Sequence, residues 1–78
     1  MKRMTCEQLG GPCQHTHEAQ TADAIIKSQD AHLKEMVASG DASHERAQTE
    51  MKGRWKRPIA GMRWYKNTKS QFAALPEF

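Results

Sequence analysis

Both cysteines of the chain and two of its four histidines fall in one stretch, Met4 to His17, which reads MTCEQLGGPCQHTH. Thiolate sulfur and imidazole nitrogen are the usual donors to zinc, four of them placed tetrahedrally. The spacing Cys6-x6-Cys13 is not the two-residue knuckle of a zinc finger, so spacing alone does not define a site. The same residues could form a disulfide, or simply pack, because a buried cysteine behaves as a small hydrophobe. The opening Met1-Lys2-Arg3-Met4-Thr5 carries bases but no apolar run after them, unlike a signal peptide. The reading is a cytoplasmic chain, in which Cys6 and Cys13 stay reduced as thiols or ligands.

Something must bring these groups together. Leu9-Gly10-Gly11-Pro12 is turn chemistry, since glycine accepts positive φ and proline fixes its own. Residues 1–18 therefore read as a β-hairpin. If Cys6 pairs opposite Cys13, side-chain alternation puts Met4, Cys6, Cys13, His15 and His17 on one face. A lone two-stranded hairpin is marginal in water and must lie on another element. That element follows directly. Thr21 can cap a helix over residues 21–39, with Asp23 in its first turn and Gly40 to stop it. Its apolar face is Ala22, Ile25, Ile26, Gln29, Leu33, Met36 and Val37. His32 lies seven residues after Ile25, and seven residues turn a helix by about 700°, so it points within about 20° of Ile25. Cys6, Cys13 and His32 can then converge, with His15 or His17 as a fourth donor, or a water in its place.

The remaining chain reads as two more helices. Asp41 caps the second, over 41–56, with an inner stripe of His44, Ala47, Met51 and Trp55. On that stripe His44 reads as a packing or hydrogen-bonding residue. Pro58 suits the first turn of a third helix, 58–75, facing inward through Ile59, Met62, Tyr65 and Phe72. The fold class is α+β, a single domain over 1–78: a short N-terminal hairpin packed on two to three helices. With 78 residues, of which 37% are hydrophobic, the core is thin. Such chains often add a metal, a disulfide or a partner chain, so a homodimer is one expectation.

The run Met4-Thr5-Cys6-x-Gln8-Leu9-Gly10-Gly11-x-Cys13 resembles the start of a bacterial family of predicted small metal-binding proteins of unknown function. Its members open with Thr-Cys-x-x-Leu-Gly-Gly-x-Cys. A helix follows with a histidine matching His32, then a Gly-Asp pair and nearby histidine matching Gly40, Asp41 and His44. Larger relatives close on an Ala-Leu-Pro-Glu run like Ala74 to Glu77. The resemblance implies metal ligation by Cys6, Cys13 and His32. The chain departs from the family at His15 and His17, where relatives more often carry apolar strand residues. The expected ligand set is Cys6, Cys13, His32 and His15, for zinc or another transition metal.

Charge is unevenly spread. Residues 1–50 hold five Lys/Arg against eight Asp/Glu, a net of −3; residues 51–78 hold seven against one, a net of +6. The bases Lys52, Arg54, Lys56, Arg57, Arg63, Lys66 and Lys69 are interleaved with Trp55, Trp64 and Tyr65. Cations neutralise phosphates and exposed aromatics stack on bases, so this segment is a nucleic-acid candidate. The alternative is a solvated basic face with the aromatics turned into the core. No apolar run approaches the roughly 20 residues of a membrane span, and no catalytic motif occurs. The sequence thus reads as a non-enzymatic small protein. Three functions stay open: a metal-binding module, a metal-free and dimeric interaction module, and a nucleic-acid binder.

Overall fold

The computed structural model describes residues 1–77. Strands β1 (Lys2–Thr5) and β2 (Thr16–Ala19) form an antiparallel pair, followed by helices α1 (Ala22–Ala38), α2 (Ala42–Lys56) and α3 (Pro58–Ala74). This is the expected α+β architecture. Met4 stands opposite His17, and both are buried. That pairing sets the register, because a slip of one residue would turn Met4 to water.

The register corrects one expectation, since Cys6 is not opposite Cys13. The Cys6 N–H donates to the His15 carbonyl at 2.7 Å and the Glu7 N–H to the Cys13 carbonyl at 2.9 Å. Pairing therefore runs on past the strands. The chain then curls over Cys6, whose carbonyl accepts from the N–H groups of Leu9 (3.1 Å) and Gly11 (2.8 Å). Gly10 takes φ of +97° in this turn, a conformation open to glycine at little steric cost.

The caps fall where the sequence puts them. Thr21 Oγ1 accepts from the Ala24 N–H at 3.1 Å, and Asp41 Oδ1 from the His44 N–H at 3.0 Å. Gly40, at φ +93°, ends α1 as its N–H donates to the Val37 carbonyl and that of Asp41 to Met36. The face of α1 formed by Ala22, Ile25, Ile26, Gln29 and Leu33 is buried.

Two apolar clusters result. One joins Met4, Leu9, Ala19, Ile25, Ile26 and Phe72; the other joins Cys6, Leu33, Ala47 and Met51. Trp64 packs against both. The inner stripes of α2 and α3 differ from expectation. Trp55 is 51% exposed, and Arg54 takes the inward position beside it, its guanidinium 4.6 Å from the Trp64 ring centre. On α3, Ile59 is 77% and Met62 56% exposed; the buried positions are Gly61, Thr68 and Phe72. The cause is the crossing of the two helices. A Cβ on Gly61 would lie 2.5 Å from the Arg54 carbonyl oxygen, so Gly61 faces α2 and turns Ile59 and Met62 outward. Among the described residues, no helix is long and apolar enough to cross a membrane.

Candidate metal centre

Three elements each bring donors to one point. The hairpin turn supplies Cys6 and Cys13, the inner face of α1 supplies His32, and the first turn of α2 supplies His44. One ligand atom from each of these four residues falls in a set whose members all lie within 4.8 Å of one another. Cys13 Sγ is 3.3 Å from His32 Nε2 and 3.4 Å from His44 Nε2, and Cys6 Sγ is 4.0 Å from His44 Nε2. A tetrahedron with arms of about 2.0–2.3 Å has edges of roughly 3.3–3.8 Å, so these separations are close to those of a ligand shell. The rings of His32 and His44 stand at 84° with centres 5.0 Å apart. Both cysteines are free thiols. The four residues lie close enough to hold a metal ion, and their donor types suit a transition metal such as zinc.

His15 is not in this set. Its exposed ring stacks on His32, centres 4.4 Å apart and planes 8° from parallel. An ion lies near the plane of each imidazole that binds it, so two stacked rings cannot both point at the same ion. His44 stands where His15 was expected. The sequence carried a signal for it, since His44 lies seven residues before Met51 on the inner face of α2, but an inward histidine is ambiguous until the hairpin is docked above it.

The surroundings hold the donors in place. Gln29 is fully buried; its Nε2 donates to Cys6 Sγ at 3.2 Å and lies 3.4 Å from the Cys6 carbonyl. Its Oε1 is 2.7 Å from His17 Nε2, which makes that nitrogen the donor, because an amide oxygen only accepts. His44 Nδ1 lies 3.0 Å from Asp41 Oδ1, close enough for electrostatic support but not aligned as a hydrogen bond. Carboxylates in this position orient ligating histidines and raise their basicity. Bonds from the Ser43 hydroxyl and the His44 backbone N–H, with the His44 ring beside it, hold the Asp41 carboxyl well below the usual carboxylate range.

The cysteines differ in character. Burial pushes the Cys6 thiol up, against the Gln29 bond that favours its thiolate. Burial also raises Cys13, but the His15 backbone bond and the His44 and Cys6 side chains outweigh it and bring that thiol down. Gly11 closes the site from above. A Cβ there would collide with Cys6 Sγ and lie 2.8 Å from Gln29 Nε2. Gly11→Ala is therefore expected to destabilise the fold by about 1–3 kcal/mol, the usual cost of overpacking, and to weaken metal uptake. Urea melts and a metal titration would check this, and an unchanged midpoint with unchanged affinity would contradict it.

The histidines also set a pH response in the metal-free chain. Burial holds both His17 and His32 below the ordinary histidine value of 6.5, with neighbouring imidazoles adding to the effect on His32. A depressed folded-state pKa contributes stability above 6.5 that is lost as pH falls through the folded values. His44 runs the other way: Asp41 and Cys13 outweigh burial and raise it, so its contribution is present below 6.5 and lost as pH rises. The directions oppose each other, so without metal a His44→Gln variant, which keeps only the contributions that acid removes, should lose more melting temperature than the parent between about pH 7.5 and about pH 5. A variant whose midpoint falls no further than the parent's over that range would count against the arrangement.

The bases named as nucleic-acid candidates differ in exposure. Lys52, Lys56, Arg57, Arg63, Lys66 and Lys69 are exposed, while Arg54 is half-buried on Trp64 and Lys69 leans over Tyr65 at 5.6 Å. Comparison with known proteins found no matching family model, no matching curated protein and no matching solved structure.

Proposed function

We propose that this protein is a small zinc-binding module in which Cys6, Cys13, His32 and His44 hold one ion. The observation that carries the reading is the convergence of two thiols and two imidazoles, from three separate elements, within 4.8 Å. Two sulfur and two nitrogen donors are a set that tetrahedral zinc favours among the common divalent ions. Four protein donors make a closed shell, the form taken by structural rather than catalytic zinc. The ion ties the hairpin turn to α1 and α2, which a thin core alone holds weakly. A reducing compartment keeps both thiols available for it. The resemblance of the opening run to a family of predicted small metal-binding proteins fits the same reading.

Metal content of protein purified without an affinity tag tests this directly. One zinc per chain is expected, with charge-transfer bands from sulfur when cobalt replaces it. Cys6→Ser should abolish stoichiometric binding. His44→Ala should weaken binding by more than the roughly 10–100-fold typical of outer-shell losses, while His15→Ala leaves the affinity and the cobalt spectrum unchanged. A chain that takes up no metal, or whose binding depends on His15 and not on His44, removes the assignment.

A further inference from the structure

Three of the larger apolar side chains take no part in either core. Trp55, Ile59 and Met62 are all more than half exposed and gather around Pro58, where α2 turns into α3. They line two shallow hollows that share Pro58 and Met62. One, of about 510 Å³, runs between Ile59, Arg63 and Lys66; the other, of about 260 Å³, lies against Trp55, Gly61 and Tyr65.

The surround of these hollows is cationic: Arg57 lines one, Arg63 and Lys66 the other, and Lys56 adjoins them beside Arg57 and Pro58. Lys56, Arg57, Arg63 and Lys66 are exposed, and none pairs with a carboxylate among the described residues. No acidic residue occurs between Glu50 and Glu77. Arg54 and Lys69 are already engaged on Trp64 and Tyr65, so the surrounding charge is carried by the other four.

We infer that the α2–α3 corner docks an acidic amphipathic peptide segment of a partner protein. Its apolar side chains enter the two hollows and its carboxylates meet Lys56, Arg57, Arg63 and Lys66. An amphipathic helix in an apolar groove is a recurring recognition mode, and charge complementarity supplies register and on-rate. The charge argues against a second copy binding through the same face, which would set four unpaired cations against four. Base stacking needs flat π faces, whereas two of the three exposed side chains here, Ile59 and Met62, are aliphatic. A lipid surface is met by an apolar face that runs along one helix, whereas here the apolar groups come from two helices that meet at a corner. None of these residues belongs to the Cys/His cluster, so the inference stands or falls separately from the zinc assignment.

The test uses the full chain as purified and a synthetic helical peptide with leucine on one face and glutamate on the other. A charge-reversed peptide with lysine in place of glutamate is the control. Tryptophan fluorescence and methyl NMR shifts report binding. Saturable binding of the acidic peptide is expected, with shifts at Ile59 and Met62 in the unsubstituted chain. It should weaken by about tenfold or more in Ile59→Ser/Met62→Ser and, independently, in Arg63→Glu/Lys66→Glu; the charge-reversed peptide should not bind. The proposal is overturned by binding that ignores the Ile59/Met62 change, by equal binding of the reversed peptide, or by shifts that map elsewhere. It is also overturned if a single-stranded oligonucleotide or anionic phosphatidylserine vesicles bind more tightly through these residues, or if sedimentation shows the face occupied by a second copy.

Discussion

On the zinc assignment, removing the ion with a strong chelator is expected to lower the thermal midpoint of this protein steeply and to broaden the melt at neutral pH. Domains carry about 0.05–0.15 kcal/mol of stability per residue, which for a chain of 78 residues is roughly 4–12 kcal/mol. Structural zinc in finger peptides is worth about 10–16 kcal/mol in apparent binding free energy, and that energy is folding energy wherever the unfolded chain has no preformed site. The metal is thus on the scale of the whole stability. The part lost first should be the hairpin. Its strands are four residues each, and a pair that short needs something to lie on. The inner residues Met4 and Leu9 pack in the first cluster, while Cys6 and Cys13 belong to the second, where the ion would tie them to His32 and His44. Circular dichroism should show helix signal decreasing and the melt broadening on chelation, with recovery when one equivalent of zinc is returned. A sharp melt at the same temperature with and without chelator would mean that apolar packing suffices and the cluster is only a passenger.

His32 could be placed from sequence because helical spacing fixes direction. Seven residues from Ile25 is an inward position in any helix that buries Ile25, and the caps at Thr21 and Asp41 and the stop at Gly40 leave little freedom in where α1 begins and ends. The relation between Cys6 and Cys13 could not be placed the same way. It depends on the register of the hairpin, set by the burial of Met4 and His17, and on a turn that folds back over the Cys6 carbonyl. His44 illustrates a different gap. Its inward direction was legible, but whether an inward imidazole binds or packs depends on what α2 meets across the interior. The rotation of α3 was hidden by Gly61. In a sequence a helical glycine reads as a weakness of about 1 kcal/mol. In the fold its missing Cβ is what lets α3 approach the Arg54 carbonyl, and that contact decides which side of the helix faces out.

Leu33→Ala is expected to make folding conditional on metal. Leu33 is 1% exposed and sits among Cys6, Ala47 and Met51, at the back of the Cys/His cluster. Truncation of a buried leucine costs about 2–5 kcal/mol, depending on how far the cavity collapses. Set against roughly 4–12 kcal/mol for a domain of this size, that loss brings the metal-free chain to the edge of unfolding. A ligand that binds only the folded state restores stability as RT ln(1 + [L]/Kd), about 4 kcal/mol at a thousandfold excess over Kd. The variant should therefore be largely unfolded in chelator and folded in excess zinc. Its apparent zinc affinity should fall by about tenfold or more, because part of the binding energy goes into folding. Met62→Ala, at an exposed position of α3, should change neither quantity. The comparison separates a structural ion from an incidental one. If the ion organises the core, cavity and chelator act on the same equilibrium and their effects are linked through it. If Leu33→Ala lowers the melting temperature equally in zinc and in chelator, packing and coordination are independent, and the four donors meet without holding the fold.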